Sequence, residues 1–549
     1  MGPISCAAMR LSGTGSASIA VLGLALVAGF ALLVADFALL AAPASATYLP
    51  QEQIPTQSTV YRDLERLSAR FAIAPRFLSM RPLRLIEARE FLRGLAGTHP
   101  GVESDPAWVR AMRFLDVESR GAARPFLSVT GDQGEALEAS PYASFTYSDD
   151  PRNQPEIDRD YRAGIAVAAA LDSTIFVINA YAGTASQGGR GTPDFGTSNA
   201  WVEGVSVNSW FEEAYVEFPV SRLRILAGHT WLRWGPGREG TLALSDAAPA
   251  QDMLKAEITM FRNWRFEWFV SVLDPGPQTY LAGHRLEASL SPRLTFGITE
   301  MARFDGTSQA PLYWMPFVPY PLWEKRPKTS PDGAVPGDTA NVALTKNNVL
   351  MSFDASWLPV AGTRVWGEFL LDDISFSTDY KPNMIGYQAG LETRRALGGA
   401  TSGAGRAISG SIEYTRVHNY TYSAWHGHHF GHQGFPVGFV LGPDVAALSG
   451  EVAYEYGANW EFRLRGEWRK KGEGQVGDPW TEADGEVDAS EFSGVVERET
   501  RVSGTIAYSP SRRLRVEATV GATGIENRDH LPADVINETP IRLTGKLEW

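Results

Sequence analysis

Cysteine is almost missing from this sequence, because Cys6 is the only one among 549 residues. It lies in the early polar part of the chain, ahead of the first apolar stretch, where a lipoprotein acceptor is not expected. The remainder of the chain therefore cannot form a disulfide bond. This is compatible with an oxidising compartment but does not by itself indicate one.

Long apolar runs are also missing beyond the N-terminus. No uninterrupted run there reaches the roughly 18 residues that a spanning helix needs, and the mean hydropathy is -0.17. These two facts exclude a polytopic helical membrane protein. Positive charge is scarce as well, with a net charge of -13, so nucleic acid is a poor partner. With 44% hydrophobic residues the chain can still bury a large core.

The N-terminal segment has the pattern of an export signal. Arg10 precedes an apolar stretch at 19–34, and Ala44-Ser45-Ala46 supplies small residues in an A-x-A arrangement. The sequence predicts a signal peptide over residues 1–46, cleaved after Ala46. Because the stretch is long and Asp36 interrupts it, an uncleaved anchor is the alternative.

Residues 47–125 are predicted to form a small bundle of helices. Val60, Leu64, Leu67 and Phe71 recur at spacings of three and four, and a second segment repeats this pattern before Gly97. A third helix is predicted from Pro106, since proline suits the first helical position. The pattern does not decide whether this unit is a separate soluble cap, a plug or a partner-binding element.

Residues 126–549 follow a period of two, which is typical of β-strands with one apolar and one polar face. From Trp460 to Trp468 every second residue is apolar, and Glu461, Arg463, Arg465 and Glu467 lie between them. Apolar runs of about nine to eleven residues suffice to cross a membrane at a tilt. Tight turns alternate with long polar segments such as 183–208 and 472–497, as they do in outer-membrane barrels. We therefore predict an all-β transmembrane barrel of about 18 antiparallel strands.

The end of the chain supports the same class. Leu543, Leu547 and the terminal Trp549 lie on the apolar face of the last predicted strand. A chain end is normally frayed and polar, whereas this one ends on an aromatic residue in register. The pattern resembles the C-terminal signal that the bacterial barrel-assembly machinery recognises. A closing strand of a soluble sheet is the alternative interpretation.

The sequence motifs that could indicate catalysis or cofactor binding lack the neighbouring residues or structural elements that such a function needs. Gly235 to Gly240 fits G-x-G-x-x-G, but no helical pattern follows it, so dinucleotide binding is not expected. Asp372 and Asp373 are adjacent on a strand end and face opposite sides, which does not suit a glycosidase pair. No G-x-S-x-G elbow is present. We predict a protein that is not an enzyme and needs no cofactor.

One histidine-rich segment raises a metal hypothesis. Imidazole groups at this density can bind zinc or copper. Because the segment has no cysteine and no nearby carboxylate, a polar loop is the favoured interpretation. The histidines concerned are His426, His428, His429 and His432.

Several segments resemble the Wzi family of capsule-assembly proteins. The most specific match is Gly228 to Ser245, which contains Trp-Gly-Pro-Gly at 234–237. Further matches lie at Gly367 to Asp373 with Gly386 to Glu392, at Glu413 to Arg416, at Tyr420 to Tyr422, at Gly438 to Asp444, and in the N-terminal Tyr61 to Leu67. Their order and spacing agree over essentially the whole chain after the signal segment. The resemblance implies an outer-membrane barrel of about 18 strands with a helical bundle at its periplasmic end.

The resemblance also implies a function in attaching exported polysaccharide to the cell surface, by binding rather than catalysis. Aromatic loops suit this function because flat rings stack on sugar faces; one such loop runs from Tyr313 to Trp323. The predicted sugar contacts are Trp231, Arg233, Trp234, Arg238, Tyr420, Tyr422 and Trp425. The predicted partners are surface polysaccharide, outer-membrane lipid and, during biogenesis, the assembly machinery, with the protein acting as a monomer. A porin for small solutes is the alternative function.

Overall fold

The computed structural model describes most of the chain after residue 50. The described residues are 51–115, 126–130, 135–150, 157–184, 200–202, 205–274, 279–305, 313–321, 347–373, 382–397, 405–424 and 427–548. The predicted signal peptide over 1–46 and the residues Trp425, His426 and Trp549 lie outside them. The domain boundaries at 46 and 125 and the assembly signal stay predictions.

The N-terminal segment forms three α-helices, as the spacing of its apolar residues predicts. They are α1 (Thr59–Phe71), α2 (Leu85–Thr98) and α3 (Pro106–Leu115), with a 3-10 turn at Val102–Ser104. Ser58 caps α1 by accepting from the N–H of Val60, and Asp105 accepts from the N–H of Ala107 at the start of α3. None of the helices in the described part of the chain is long and apolar enough to cross a membrane.

Eighteen long antiparallel strands in the described residues close into one barrel, which confirms the predicted fold class. They are β1 (Ala136–Asp149), β2 (Ile157–Leu171), β3 (Thr174–Thr184), β4 (Val205–Val220), β5 (Leu223–Thr230), β6 (Gln251–Met260), β7 (Trp264–Asp274), β8 (Thr279–Ser291), β9 (Leu294–Asp305), β10 (Asn347–Trp357), β11 (Thr363–Asp373), β12 (Met384–Leu397), β13 (Arg406–Val417), β14 (Val445–Tyr456), β15 (Trp460–Lys471), β16 (Glu497–Tyr508), β17 (Leu514–Glu526) and β18 (Ile541–Glu548). Each strand pairs with the next along the chain, and β18 closes the barrel on β1 with Leu543 opposite Tyr147.

Short strands complete the pairing. Leu127–Thr130 joins β1, Ala200–Val202 joins β4 and Val535–Glu538 joins β17. Two small two-stranded sheets lie outside the wall: Met80–Arg81 pairs with Arg233–Trp234, and Gly431–His432 pairs with Phe435–Pro436. Short turns and long connections alternate around the barrel. We call the two rims the turn end and the loop end; β18 runs toward the turn end.

The strands present apolar side chains outward and charged side chains inward. On β15 and β16 the outward Leu464 and Val502 are 60% and 52% exposed, whereas the inward Glu461 and Arg501 are buried. This is the reverse of a water-soluble barrel, whose exposed face is polar. The arrangement matches a wall that faces hydrocarbon.

The helical unit fills the turn end of the lumen. The sequence left open whether this unit is a separate cap or a plug, and the structure shows a plug. The backbone N–H of Gly362, in the turn between β10 and β11, donates to Ala69 O at 2.7 Å. Arg113 donates to Asn459 Oδ1 at 2.6 Å, in the turn between β14 and β15. The apolar faces of the helices share one buried core with residues of the barrel wall.

Buried ion pairs tie this plug to the wall. Arg66 on α1 is 1% exposed and lies 2.8 Å from Glu461 and 3.4 Å from Glu455. Arg394 on β12 lies 2.6 Å from Asp105, which also caps α3. Glu455 additionally contacts Arg394 and Arg110. The plug is therefore held by charge as well as by apolar packing.

One aromatic loop does not lie at the barrel mouth. Residues 313–321 pack on the outer face of the wall, where they bury Trp268 and Ala302, outward-facing residues of β7 and β9. The backbone N–H of Tyr320 donates to Glu300 at 3.0 Å. Of the loop from Tyr313 to Trp323, the described part is thus a strap over the wall, and Trp323 lies outside the described residues.

Candidate functional site

The connection between β5 and β6, residues 231–250, folds into the lumen instead of projecting from the rim. Trp234 is fully buried, and its indole N–H donates to Glu267 on β7 at 2.7 Å. Its backbone pairs with Met80 of the N-terminal segment, and its N–H donates to Leu244 O at 2.9 Å. Trp234 therefore joins the plug, the lumen loop and the wall.

The glycines of this loop serve close packing. Gly235 has φ of 129°, in the region that favours glycine. A Cβ on Gly237 would lie 2.1 Å from the side-chain oxygen of Gln388 on β12. No helix follows the segment. The G-x-G-x-x-G spacing thus reflects a backbone pressed against the barrel wall, without the helix N-terminus that a pyrophosphate needs.

Glu413 on β13 holds the tip of the lumen loop. Its carboxylate accepts from the backbone N–H groups of Arg238 and Glu239 at 2.7 and 2.9 Å. It also accepts from the indole N–H of Trp366 at 2.6 Å and from the amide of Gln388 at 3.0 Å. Nothing in the sequence pattern links Glu413 to Arg238, because the two residues are 175 positions apart.

The two arginines predicted to contact sugar have protein partners. Arg233 donates to Asp246 at 3.2 Å and to Gly237 O at 2.6 Å. Arg238 lies between Glu392 at 3.5 Å and Glu451 at 2.5 Å. Burial alone would lower the pKa of Arg238, but these carboxylates outweigh it and raise the pKa. Both arginines are fully charged and order the loop.

The connection between β13 and β14, residues 418–444, packs on the lumen loop. Tyr422 is fully buried; its hydroxyl donates to Leu242 O at 2.6 Å and accepts from the N–H of Phe439 at 3.2 Å. Ser245 donates to Gly438 O at 2.5 Å. The segments on which the family resemblance rests therefore meet in one place. Tyr420 is half-buried, and Trp425 lies outside the described residues.

Beside these loops the lumen contains a cavity of about 1450 Å³. Its walls are mostly residues of β1–β4 and β13–β18, and Arg62 of α1 lines it from the helical unit. Trp231, Glu239 and Phe439 border it from the two loops. Trp231 is half-buried, and its indole N–H donates to Ala248 O at 3.0 Å. Of the described residues predicted to contact sugar, Trp231 alone lines the cavity. The assignment of the whole set stays a prediction.

The histidine-rich segment lies next to the rim of this cavity. Within the described part of the chain, no group of three or more histidine, cysteine, aspartate or glutamate side chains is arranged to hold a metal ion. His428 and His432 are buried, His429 is half-buried, and His426 lies outside the described residues. The segment's short hairpin is held partly by Arg303, which donates to Gly431 O at 3.0 Å.

We predict that acidification loosens this hairpin. Burial and the nearby Arg303 lower the pKa of both His429 and His432 below the ordinary value of 6.5. The opened segment therefore binds more protons than the folded one below about pH 6.5, and folding of the segment weakens as pH falls. Amide hydrogen exchange in 427–442 should be faster at pH 5.5 than at pH 7.5 after correction for intrinsic rates. His432→Gln should flatten this dependence; equal protection at both pH values in the unaltered protein would contradict the prediction.

A closed, plugged barrel of 18 strands with apolar residues outward and a polar lumen is the architecture of an outer-membrane β-barrel. The sequence model of the family described as capsule assembly protein Wzi matches residues 144–534. The chain belongs to this family, as the sequence resemblance predicted, and its location is the bacterial outer membrane.

One solved structure supports this fold, and a second is similar at a lower score. Wzi of Escherichia coli, described as an outer-membrane protein involved in group 1 capsule assembly and a carbohydrate-binding β-barrel, matches with a TM-score of 0.60 and 15% identity over 90% of this chain and 99% of that one. OprD of Pseudomonas aeruginosa matches with a TM-score of 0.41 and 8% identity over 75% of this chain and 95% of that one. A comparison with curated proteins found no match in sequence.

Proposed function

We propose that this protein binds exported polysaccharide and helps to hold it at the cell surface, by binding and without catalysis. Family membership supports the function in capsule assembly. The observation that carries the binding proposal is the polar cavity beside the loops, bordered by the ring of Trp231. We place the turn end on the periplasmic side and the loop end outside the cell, as is usual for such barrels.

We further propose a division of work among the predicted sugar contacts. Trp231 and Tyr420 are partly accessible and are proposed to contact the glycan, together with Trp425. Arg233, Trp234, Arg238 and Tyr422 donate to protein groups and are proposed to shape the two loops. Interaction with the assembly machinery during biogenesis and a monomeric state remain part of the proposal.

Loss of the protein should reduce cell-associated polysaccharide and increase the released fraction. Trp231→Ala should reproduce part of this loss, because removing one stacking ring weakens binding by about tenfold at a cost of roughly 1.5 kcal/mol. The measurement is polysaccharide assayed in washed cells and in the medium, with barrel levels checked by immunoblot.

A matched control is Trp264→Ala, which removes an exposed tryptophan at the turn end of β7, away from the cavity. Its cells should retain polysaccharide as the unaltered strain does. If cells without the protein retain as much polysaccharide as the parent strain, the proposed function is wrong.

A further inference from the structure

The cations that line the lumen cavity differ in whether they form ion pairs, and those without an ion pair lie on one strand of its wall. Eight arginine and lysine side chains of the described residues line it. Six of them have a carboxylate partner within ion-pair distance: Arg62, Arg162, Arg463, Arg465, Arg469 and Arg501. The remaining two, Arg542 and Lys546, lie on β18 and form no ion pair with any described residue.

Most of the cross-strand neighbours of these two cations carry hydroxyl groups. Arg542 lies opposite Ser148 on β1 and Thr519 on β17, and Lys546 lies opposite Ser144 on β1 and Arg515 on β17, whose guanidinium pairs with Glu517. Glu213, which also lines the cavity, interacts electrostatically with Lys546. Lys546 stands over the ring of Tyr142, with its nitrogen 4.9 Å from the ring centroid. Both side chains are exposed to the cavity.

Elsewhere in the cavity wall, cations are neutralised by neighbouring carboxylates. Arg501 binds both oxygens of Asp150 at 2.7 and 2.8 Å, and Arg463 lies 2.9 Å from Glu517. These groups satisfy each other and leave little charge for a ligand. Arg542 and Lys546 instead form no ion pair with a described residue and present their positive charge to the cavity of about 1450 Å³. In such a partly enclosed site their field is screened less than at an open surface.

We propose that this strip of β18, with the hydroxyl groups around it, binds a short stretch of an acidic glycan, whose carboxylates pair with Arg542 and Lys546. The proposal rests on the proposed function and names the part of the molecule and the class of sugar. Charge-assisted hydrogen bonds from both cations hold the uronic acid groups. The serine and threonine hydroxyls donate to or accept from the sugar hydroxyls.

The spacing of the two cations sets the minimum ligand. They are four residues apart on one strand, which is roughly 14 Å at about 3.4 Å per residue. One sugar ring does not span this distance, so both cations are engaged only by an oligosaccharide. The cavity exceeds the roughly 300–1000 Å³ of ordinary small-molecule sites, which leaves room for several sugar units.

The test uses the full-length barrel, purified in detergent, with two defined probes of equal length: a tetramer of galacturonic acid and maltotetraose. Isothermal titration calorimetry should show tighter binding of the acidic tetramer, weakening with added salt. The double variant Arg542→Gln with Lys546→Gln should bind the acidic tetramer at least about tenfold more weakly, because each lost charge-assisted contact contributes measurably to binding. Binding of maltotetraose should change little.

A matched control removes the same charge from the outer face. Lys470 and Arg498 are cross-strand neighbours on β15 and β16, and neither lines the cavity. Replacing both by glutamine should leave the affinity for the acidic tetramer unchanged. As a steric test without a charge change, Thr146→Trp narrows the cavity and should also weaken binding. The heat-dependent mobility shift of each variant on a gel reports whether the barrel is folded.

The outcomes separate this inference from the proposed function. If the acidic tetramer fails to bind, or binds the β18 double variant as tightly as the unaltered barrel, the lumen site is wrong. Polysaccharide extracted from the cells' own surface is titrated in parallel. If that polymer binds the β18 double variant as tightly as the unaltered barrel, the proposed function is supported and the lumen site is wrong. If the polymer does not bind the unaltered barrel, the proposed function is wrong.

Discussion

Arg66→Leu should release the helical plug from the barrel wall and destabilise it by about 3–5 kcal/mol, the usual cost of removing one partner from a buried ion pair. In the folded protein Arg66 contacts Glu455 and Glu461, and all three side chains are almost completely buried. Without the guanidinium, Glu461 keeps one ion-pair partner among the described residues, Arg62, at 3.9 Å. A buried carboxylate that has lost its nearest cation then remains at the plug interface.

Hydrogen exchange locates this effect. Amides of α1 should exchange at least a hundredfold faster in the Arg66→Leu variant, while amides of β15 stay protected by the strand pairing. Arg93→Leu is the matched control, because Arg93 is an exposed arginine on α2 of the same helical unit. Unchanged exchange in α1 of the Arg66 variant would show that apolar packing alone holds the plug.

The Arg66→Leu variant also tests whether the protein is a porin for small solutes. The plug and the lumen loop occupy part of the described lumen and border the cavity, the plug with Arg62 and the loop with Glu239. In planar bilayers the unaltered barrel should therefore conduct little, and Arg66→Leu should conduct more. A large, steady conductance of the unaltered barrel would favour the porin alternative over the binding function.

Glu413→Ala should detach the tip of the lumen loop. The substitution leaves two backbone N–H groups, one indole N–H and one amide without their acceptor. Hydrogen bonds to a charged group contribute about 1.5–3 kcal/mol each, and although these contributions do not simply add, we expect a loss of at least about 4 kcal/mol.

Limited proteolysis after Arg238 measures this detachment. The loop is half-buried at that residue in the folded protein, so cleavage there requires opening. Glu413→Ala should be cleaved rapidly at Arg238, whereas Glu526→Ala, which removes an exposed carboxylate at a strand end, should resist as the unaltered protein does. Resistance of the Glu413 variant would mean that Arg238 and its carboxylate partners hold the loop without Glu413.

The barrel and the helical unit were predictable from sequence because both obey local periods, whereas the position of the helical unit in the lumen was not. Alternation of apolar and charged residues from Trp460 to Trp468 defines an inward and an outward face regardless of what the lumen contains. The spacing of Val60, Leu64 and Leu67 likewise predicts one buried helix face. Each of these patterns spans fewer than about 15 residues and needs no distant partner.

The site was less predictable because loop residues have no period. An aromatic residue in a loop, such as Trp234 or Tyr422, looks the same in the sequence whether it stacks on sugar or packs inside the lumen. Their partners, Glu267 and Leu242, are 33 and 180 residues away along the chain. The strap at 313–321 escaped prediction for the same reason, since the sequence does not show that Tyr320 meets Glu300 on the outer wall.

The last strand contains a sequence pattern that relates to the cavity, but the strand was interpreted only as an assembly signal. The residues that alternate with Leu543 and Leu547 on β18 include Arg542 and Lys546. The apolar face of this strand carries the predicted assembly signal, whereas its polar face borders the lumen cavity. We therefore propose that the two faces of this strand serve biogenesis and binding separately.

The most direct test of the central claim is binding of the cells' own surface polysaccharide to the purified, folded barrel in detergent, measured by surface plasmon resonance with an unrelated outer-membrane barrel as reference. We predict saturable binding that the reference barrel does not show and that Trp231→Ala weakens by about tenfold. Binding no stronger than that of the reference barrel would contradict the claim that this protein holds polysaccharide at the cell surface.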